Sequence, residues 1–220
     1  MDRVALFFWL WVLFLAVNVM WALAQAVVAS AFGARPLAVR IGYGPQLVAW
    51  RMAGIGWSLH PITLGSSASF VPEAEEGSTE TLKSRLLKLP PPLHALALAV
   101  PWYVQIGVAM ACLGPAEGFH QFTEGFPAVF NLAALPGRVE RFVGLLRDGE
   151  LVRAWGIMSA RMASLNLLPI PSLAGGYLML LPWRDKSPTP TWVRPVAAVL
   201  LAISLLWAVW VASLFVRAIL

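Results

Sequence analysis

The chain has 220 residues, 59% of them hydrophobic and 12% charged, with eleven tryptophans and a formal net charge of +5. A soluble core of this size does not need so much apolar surface, and long uncharged stretches are the mark of an integral membrane protein. The positive charge is not a nucleic-acid footprint, because the basic residues sit singly in loops with no stripe and no interleaved aromatics. The one cysteine, Cys112, leaves no room for a disulfide framework.

In chain order, the first predicted membrane helix runs over about residues 4–32. At ~1.5 Å per residue it would be about 43 Å long, more than a ~30 Å hydrocarbon core requires. It is also far longer than the ~7–15-residue apolar core of a signal peptide, so no cleavable leader is expected. Asn18 and Gln25 fall in its second half with Trp21 between them, and that half should face protein, not lipid. Residues 35–71 change to short β-like runs punctuated by Gly42, Gly44-Pro45, Gly54 and Gly65, which predict a small antiparallel sheet or hairpin set at the membrane boundary. Residues 72–82 read as an acidic, solvated loop.

A second membrane helix is expected at about 91–113, with Pro101 inside it. Residues 114–135, rich in Gly, Pro and Phe, read as irregular. Residues 137–150 read as an amphipathic helix lying along the interface, with Val139, Phe142, Val143, Leu145 and Leu146 on one broad face. The third segment, about 152–182, is broken at 166–176. Arg161 within it is expensive unless it faces a wet or protein-lined interior. The fourth covers about 196–219. Lys and Arg number nine on the side of the β region and five, or six with Arg153, on the other. This bias favours a cytoplasmic β region with both termini outside, and the expected location is the bacterial inner membrane.

The break, Asn166-Leu-Leu-Pro169-Ile-Pro171-Ser-Leu-Ala174-Gly175-Gly176, is the most specific stretch. Non-helical backbone at membrane depth is tolerated only where protein or a water-filled cavity meets it, so the run marks an internal site. Together with Ile41-Gly42-Tyr43-Gly44 after the first helix, and with His60-Pro61-Ile62-Thr63-Leu64-Gly65 in place of a Pro-Leu-Gly-Gly-like turn, it resembles the site-2 protease family, the intramembrane zinc metalloproteases. The resemblance covers most of the chain. It is eroded in the second helix, where Ala99-Val100-Pro101 stands for Ala-Gly-Pro and Val104 for an asparagine. It implies a mainly α membrane protein of about four transmembrane helices, with a small membrane-associated β region after the first.

The family's chemistry rests on His-Glu-x-x-His, two zinc ligands one helical turn apart with a glutamate base, and on an aspartate as third ligand. The resemblance aligns the two histidines with Trp21 and Gln25, the glutamate with Ala22 and the aspartate with Ala174. None of the four keeps the required group, so no catalytic residue, no metal ligand and no cofactor is expected, zinc included. The histidines are His60, His94 and His120, in three separate segments. His94 reads as a polar residue at a helix start, a lone haem or pigment ligand being the other reading, and His60 and His120 read as interfacial or loop residues. Serines 159, 164 and 172 have no base at a diagnostic spacing.

The function expected from these features is a pseudoprotease. It would bind other integral membrane proteins, as an accessory or structural subunit of a larger complex or as a regulator, with lipid around it. The alternatives are an active intramembrane metalloprotease with atypical ligands and, ranked lower, a small transporter or cofactor-holding subunit. The residues expected to meet partners are Asn166, Pro169, Pro171, Gly175 and Gly176 at the break, and Ile41, Gly42, Tyr43 and Gly44 at the β region, where strand addition could occur without zinc.

Overall fold

A computed structural model describes residues 1–70, 85–170, 173–183, 191 and 193–220. The predicted acidic loop at 72–82 and Pro171 lie outside the described residues, as does Ser172. Among the described residues the molecule is mostly helical with one small sheet. Among the described residues three helices are long and apolar enough to cross a membrane: α1 (Arg3–Ala31), α2 (Pro91–Leu113) and the Pro195–Ile219 stretch of the last helix. Contacts divide the chain into two compact units, Phe14–Val104 and Met1–Leu13 with Gln105–Leu220.

In the first unit, β1 (Ala38–Tyr43), β2 (Val48–Met52), β3 (Ile55–Leu59) and β4 (Ile62–Ser69) form a sheet of order β2-β3-β1-β4. β2 and β3 make a tight hairpin whose two turn residues, Ala53 and Gly54, both have positive φ (49° and 70°). This is the twist-matched turn that two-residue hairpins favour. The sheet is mixed, not antiparallel as the sequence pattern predicts, because β3 pairs with β1 in parallel. The chain leaves β1, places β2 one position further out, and brings β3 back into the gap. β2 thereby supplies the return path that any parallel pair needs. β4 then pairs antiparallel on the far side of β1. It absorbs Ile62-Thr63-Leu64-Gly65, which the sequence reading takes as a turn. Its second half, Gly65-Ser66-Ser67-Ala68-Ser69, has no apolar alternation to betray a strand.

The sheet packs on one stripe of α1. Ala22 and Ala26 share a buried core with Val39, Ile41, Ile55 and Trp57, flanked by Leu15 and Val19. Positions 15, 19, 22 and 26 follow the i, i+4, i+7, i+11 spacing of one helical face. The two alanines let backbone approach backbone, as small residues do between membrane helices.

The second unit is helical: α3 (Pro115–Thr123), α4 (Gly125–Phe130), α5 (Leu135–Arg147), α6 (Leu151–Asn166), α7 (Ala174–Leu180) and α8 (Val193–Ile219). Residues 114–135, read as irregular from their glycines and prolines, are therefore largely helical. The glycines serve close packing. A Cβ on Gly118 would lie 2.6 Å from the Met110 backbone nitrogen, and Gly125 lies directly against the Ser164 side chain. Pro115 sits at the start of α3, where its missing N–H costs nothing. α5 buries Leu135, Val139, Val143 and Leu146 and holds the end of α8 through an edge-to-face Phe142–Phe215 pair. Arg147 adds a 2.6 Å hydrogen bond to the Ala218 carbonyl. The third predicted segment is divided: α6 has 16 residues, about 24 Å at ~1.5 Å per residue, short of a ~30 Å hydrocarbon core. Arg161 in α6 meets protein, as its cost requires. It donates to Gln121 Oε1 at 2.7 Å, and Gln121 in turn donates to Glu117.

Candidate functional site

The Ile41–Gly44 run is a built corner. Gly42 has φ +85° and sits at a β-bulge, the register with β4 shifting between Ile41 and Tyr43. A Cβ there would lie 2.8 Å from the His60 carbonyl oxygen and 2.9 Å from that of Ile62. Only glycine satisfies both the backbone conformation and the space. Ile41 is buried in the core under α1, its carbonyl accepting from the His60 N–H at 2.8 Å. Tyr43 is exposed and lies over Gly65.

His60, read from sequence as an interfacial or loop residue, is buried and bonded at both ring nitrogens. Nδ1 lies 2.8 Å from the Gly44 carbonyl oxygen and Nε2 lies 3.1 Å from Ser58 Oγ. A carbonyl can only accept, so Nδ1 carries the proton toward Gly44. His60 thus fixes the loop after β1. His120, by contrast, is exposed in the last turn of α3 rather than in a loop.

α1 carries three of the four positions that the resemblance aligns with zinc ligands and base. Trp21 is buried, Gln25 half-buried, and Ala22 almost completely buried in the core beneath β1 and β3. A carboxylate at position 22 would face the largely apolar side chains of Val39, Ile41, Ile55 and Trp57, a costly place for a charge. One turn earlier, Asn18 Nδ2 donates to the Phe14 carbonyl at 2.9 Å and to the Thr63 carbonyl of β4 at 2.8 Å. The sequence reading places Asn18 in the half of the first helix that should face protein, without naming its partner. Its signal was a buried amide in an apolar helix, and its partner lies 45 residues away.

The break belongs to the second unit. α6 ends at Asn166, which is half-buried, and the Leu167 N–H bonds back to Ala163 and Ser164. The turn continues through exposed Pro169, and α7 starts at half-buried Ala174. Gly175 and Gly176 are buried. Gly175 presses on the carbonyls of Leu167 and Leu168, where a Cβ would lie 2.6 Å from the Leu168 oxygen. The glycine is required by this close backbone approach. The structure thus brings Ala22 and Ile41 into one core within the first unit, and within the second packs Gly175 of α7 against the Leu167–Leu168 backbone just after Asn166.

Among the described residues no group of three or more His, Cys, Asp or Glu side chains could hold a metal ion. No protein-family model matches the chain, and no curated protein matches it.

Proposed function

We propose that this chain is a non-catalytic, site-2-protease-like membrane protein that binds other membrane proteins, as an accessory subunit of a larger complex or as its regulator. In this reading α6, the turn after it and α7 together make a broken fourth crossing. The protein lies in a bacterial inner membrane with the sheet on the cytoplasmic side. Trp21, Ala22, Gln25 and Ala174 stand where zinc ligands and base would be, and Ala22 in particular serves apolar packing.

The observation that carries the binding role is the edge strand β2, all five of whose residues are exposed. An edge strand presents a row of free N–H and C=O groups to an incoming chain. Met52 pairs with Ile55 across the turn, so antiparallel alternation points the amides of Ala49 and Arg51 outward.

The test is extraction of the full chain in mild detergent, identification of co-purifying proteins and a zinc assay on the same sample. A stoichiometric protein partner without zinc is expected, and Ala49→Pro, which removes one outward amide, should release that partner. A monomer with stoichiometric zinc and chelator-sensitive cleavage would establish the metalloprotease instead.

A further inference from the structure

The two faces of the sheet differ in chemistry, and strand register assigns each residue to one of them. Val39, Ile41, Ile55 and Trp57 define the face against α1. Trp50 stacks on Trp57 across the hairpin, with ring centroids 6.2 Å apart, so Val48, Trp50 and Met52 share that face by alternation. On the other edge, Ala68 pairs with Val39 and Ser66 with Ile41, so these two share it, whereas beyond the register shift Tyr43 pairs with Ile62 and Thr63 is the buried residue. The central strands are covered by the helix, whereas Val48, Trp50 and Met52, on the edge strand β2, are 39–54% exposed. The helix-side face is therefore wider than the helix and carries an apolar margin along β2.

The opposite face is polar and basic. Arg40, between core residues Val39 and Ile41, points away from α1 and is exposed. Arg51, opposite Gly56, does the same. Ser67, paired with Arg40, and Ser69 lie on this face as well. Arg35 adds a third exposed cation at the β2–β3 turn, its guanidinium lying against Gly54. The stretch from Gly33 to Phe70 contains no Asp, Glu or Lys, so these arginines give it a charge of +3.

Water alone does not suit the apolar margin, and hydrocarbon alone does not suit the open edge of β2, whose free amides need partners. One layer satisfies both: the headgroup region, where phosphates pair with guanidinium groups, water reaches the edge amides, and tryptophan is at home. We propose that the sheet is seated at headgroup level of an anionic leaflet, with Arg40 and Arg51 binding the phosphates of acidic phospholipid and Val48, Trp50 and Met52 meeting the upper acyl chains. Charge complementarity selects anionic over zwitterionic lipid.

Two measurements on the full chain test this. The first is native mass spectrometry of the detergent-solubilised protein titrated with phosphatidylglycerol or phosphatidylcholine. Wild type should retain phosphatidylglycerol preferentially, and the double variant Arg40→Gln/Arg51→Gln should bind it roughly 25-fold more weakly, from the contribution of two basic groups at an anionic surface. Arg141→Gln on α5 should leave binding unchanged. Equal retention of the two lipids, or a double variant that binds like wild type, overturns the proposal.

The second places a fluorophore at Met52→Cys or Ser67→Cys in a Cys112→Ala background, in vesicles of three parts phosphatidylcholine to one part phosphatidylglycerol. The label at position 52 should be quenched most by a headgroup nitroxide, less by one at mid-chain, and that at 67 by aqueous iodide. Mid-chain quenching dominant at 52 would place the sheet too deep. Iodide quenching alone there would place it in water, and shielding from every quencher would place it under protein; each overturns the proposal.

Discussion

Helices α1 and α8 are close to interchangeable as sequences, long and apolar with few polar letters, yet they are used differently. One third of the most apolar window of α1 is buried within the chain, against 6% for that of α8. The polar side chains mark the difference. Ser204 and Ser213 of α8 bond to carbonyls three or four residues back in their own helix, whereas Asn18 of α1 reaches across to β4. Small residues follow the same division: Ala22 and Ala26 sit under the sheet, while most large apolar side chains of α8 remain exposed. A membrane helix with an outward-reaching amide beside a small-residue stripe is one that carries protein on its back. A helix whose hydroxyls fold back on itself makes no such demand.

Substitutions can break this contrast, beginning with the strongest. Gly42→Val forces a side chain into two carbonyls at positive φ and should cost about 3 kcal/mol or more. It should open the sheet to proteolysis in detergent while leaving α8 protected. Ala22→Glu installs the glutamate of the motif the chain resembles but buries a charge among apolar groups, also at about 3 kcal/mol or somewhat less if the carboxyl stays protonated. A fall in melting temperature, with neither zinc uptake nor cleavage gained, is the expected result. A stable variant that binds zinc would show that position 22 faces a pocket. Asn18→Ala leaves the Thr63 carbonyl unpaired and should cost about 1–2 kcal/mol, read as faster hydrogen exchange in β4. Leu206→Ala on the exposed face of α8 should shift stability by less than about 0.5 kcal/mol. A larger loss would mean that a partner covers that helix.

Much of the architecture was legible because it depends on letters with one physical use. The prolines and glycines of 166–176 announce a stop and a restart, and α6 and α7 respect them. Gly42 and Gly44 announce a non-helical corner. The misreadings share a cause: a glycine that turns the chain and a glycine that admits a neighbour look alike in sequence. Gly118 and Gly125 were taken for loop residues and are helix contacts. The parallel pairing of β1 with β3 was hidden because register is set by a distant partner, not by local pattern. At the candidate site, alignment with a known motif gave Ala22 a meaning as something missing. Its neighbours give it a meaning as something fitted.

The two hydrogen bonds of Asn18 have a consequence in time. Thr63 follows Asn18 by 45 residues, so at ~5–20 residues per second of synthesis the amide waits roughly 2–9 s for its second acceptor. During that interval α1 must enter the bilayer with a polar group on an uncovered flank. The bond to the Phe14 carbonyl is available from the moment the helix forms. It gives the nascent segment a provisional partner, so that insertion need not await the strand that completes the arrangement.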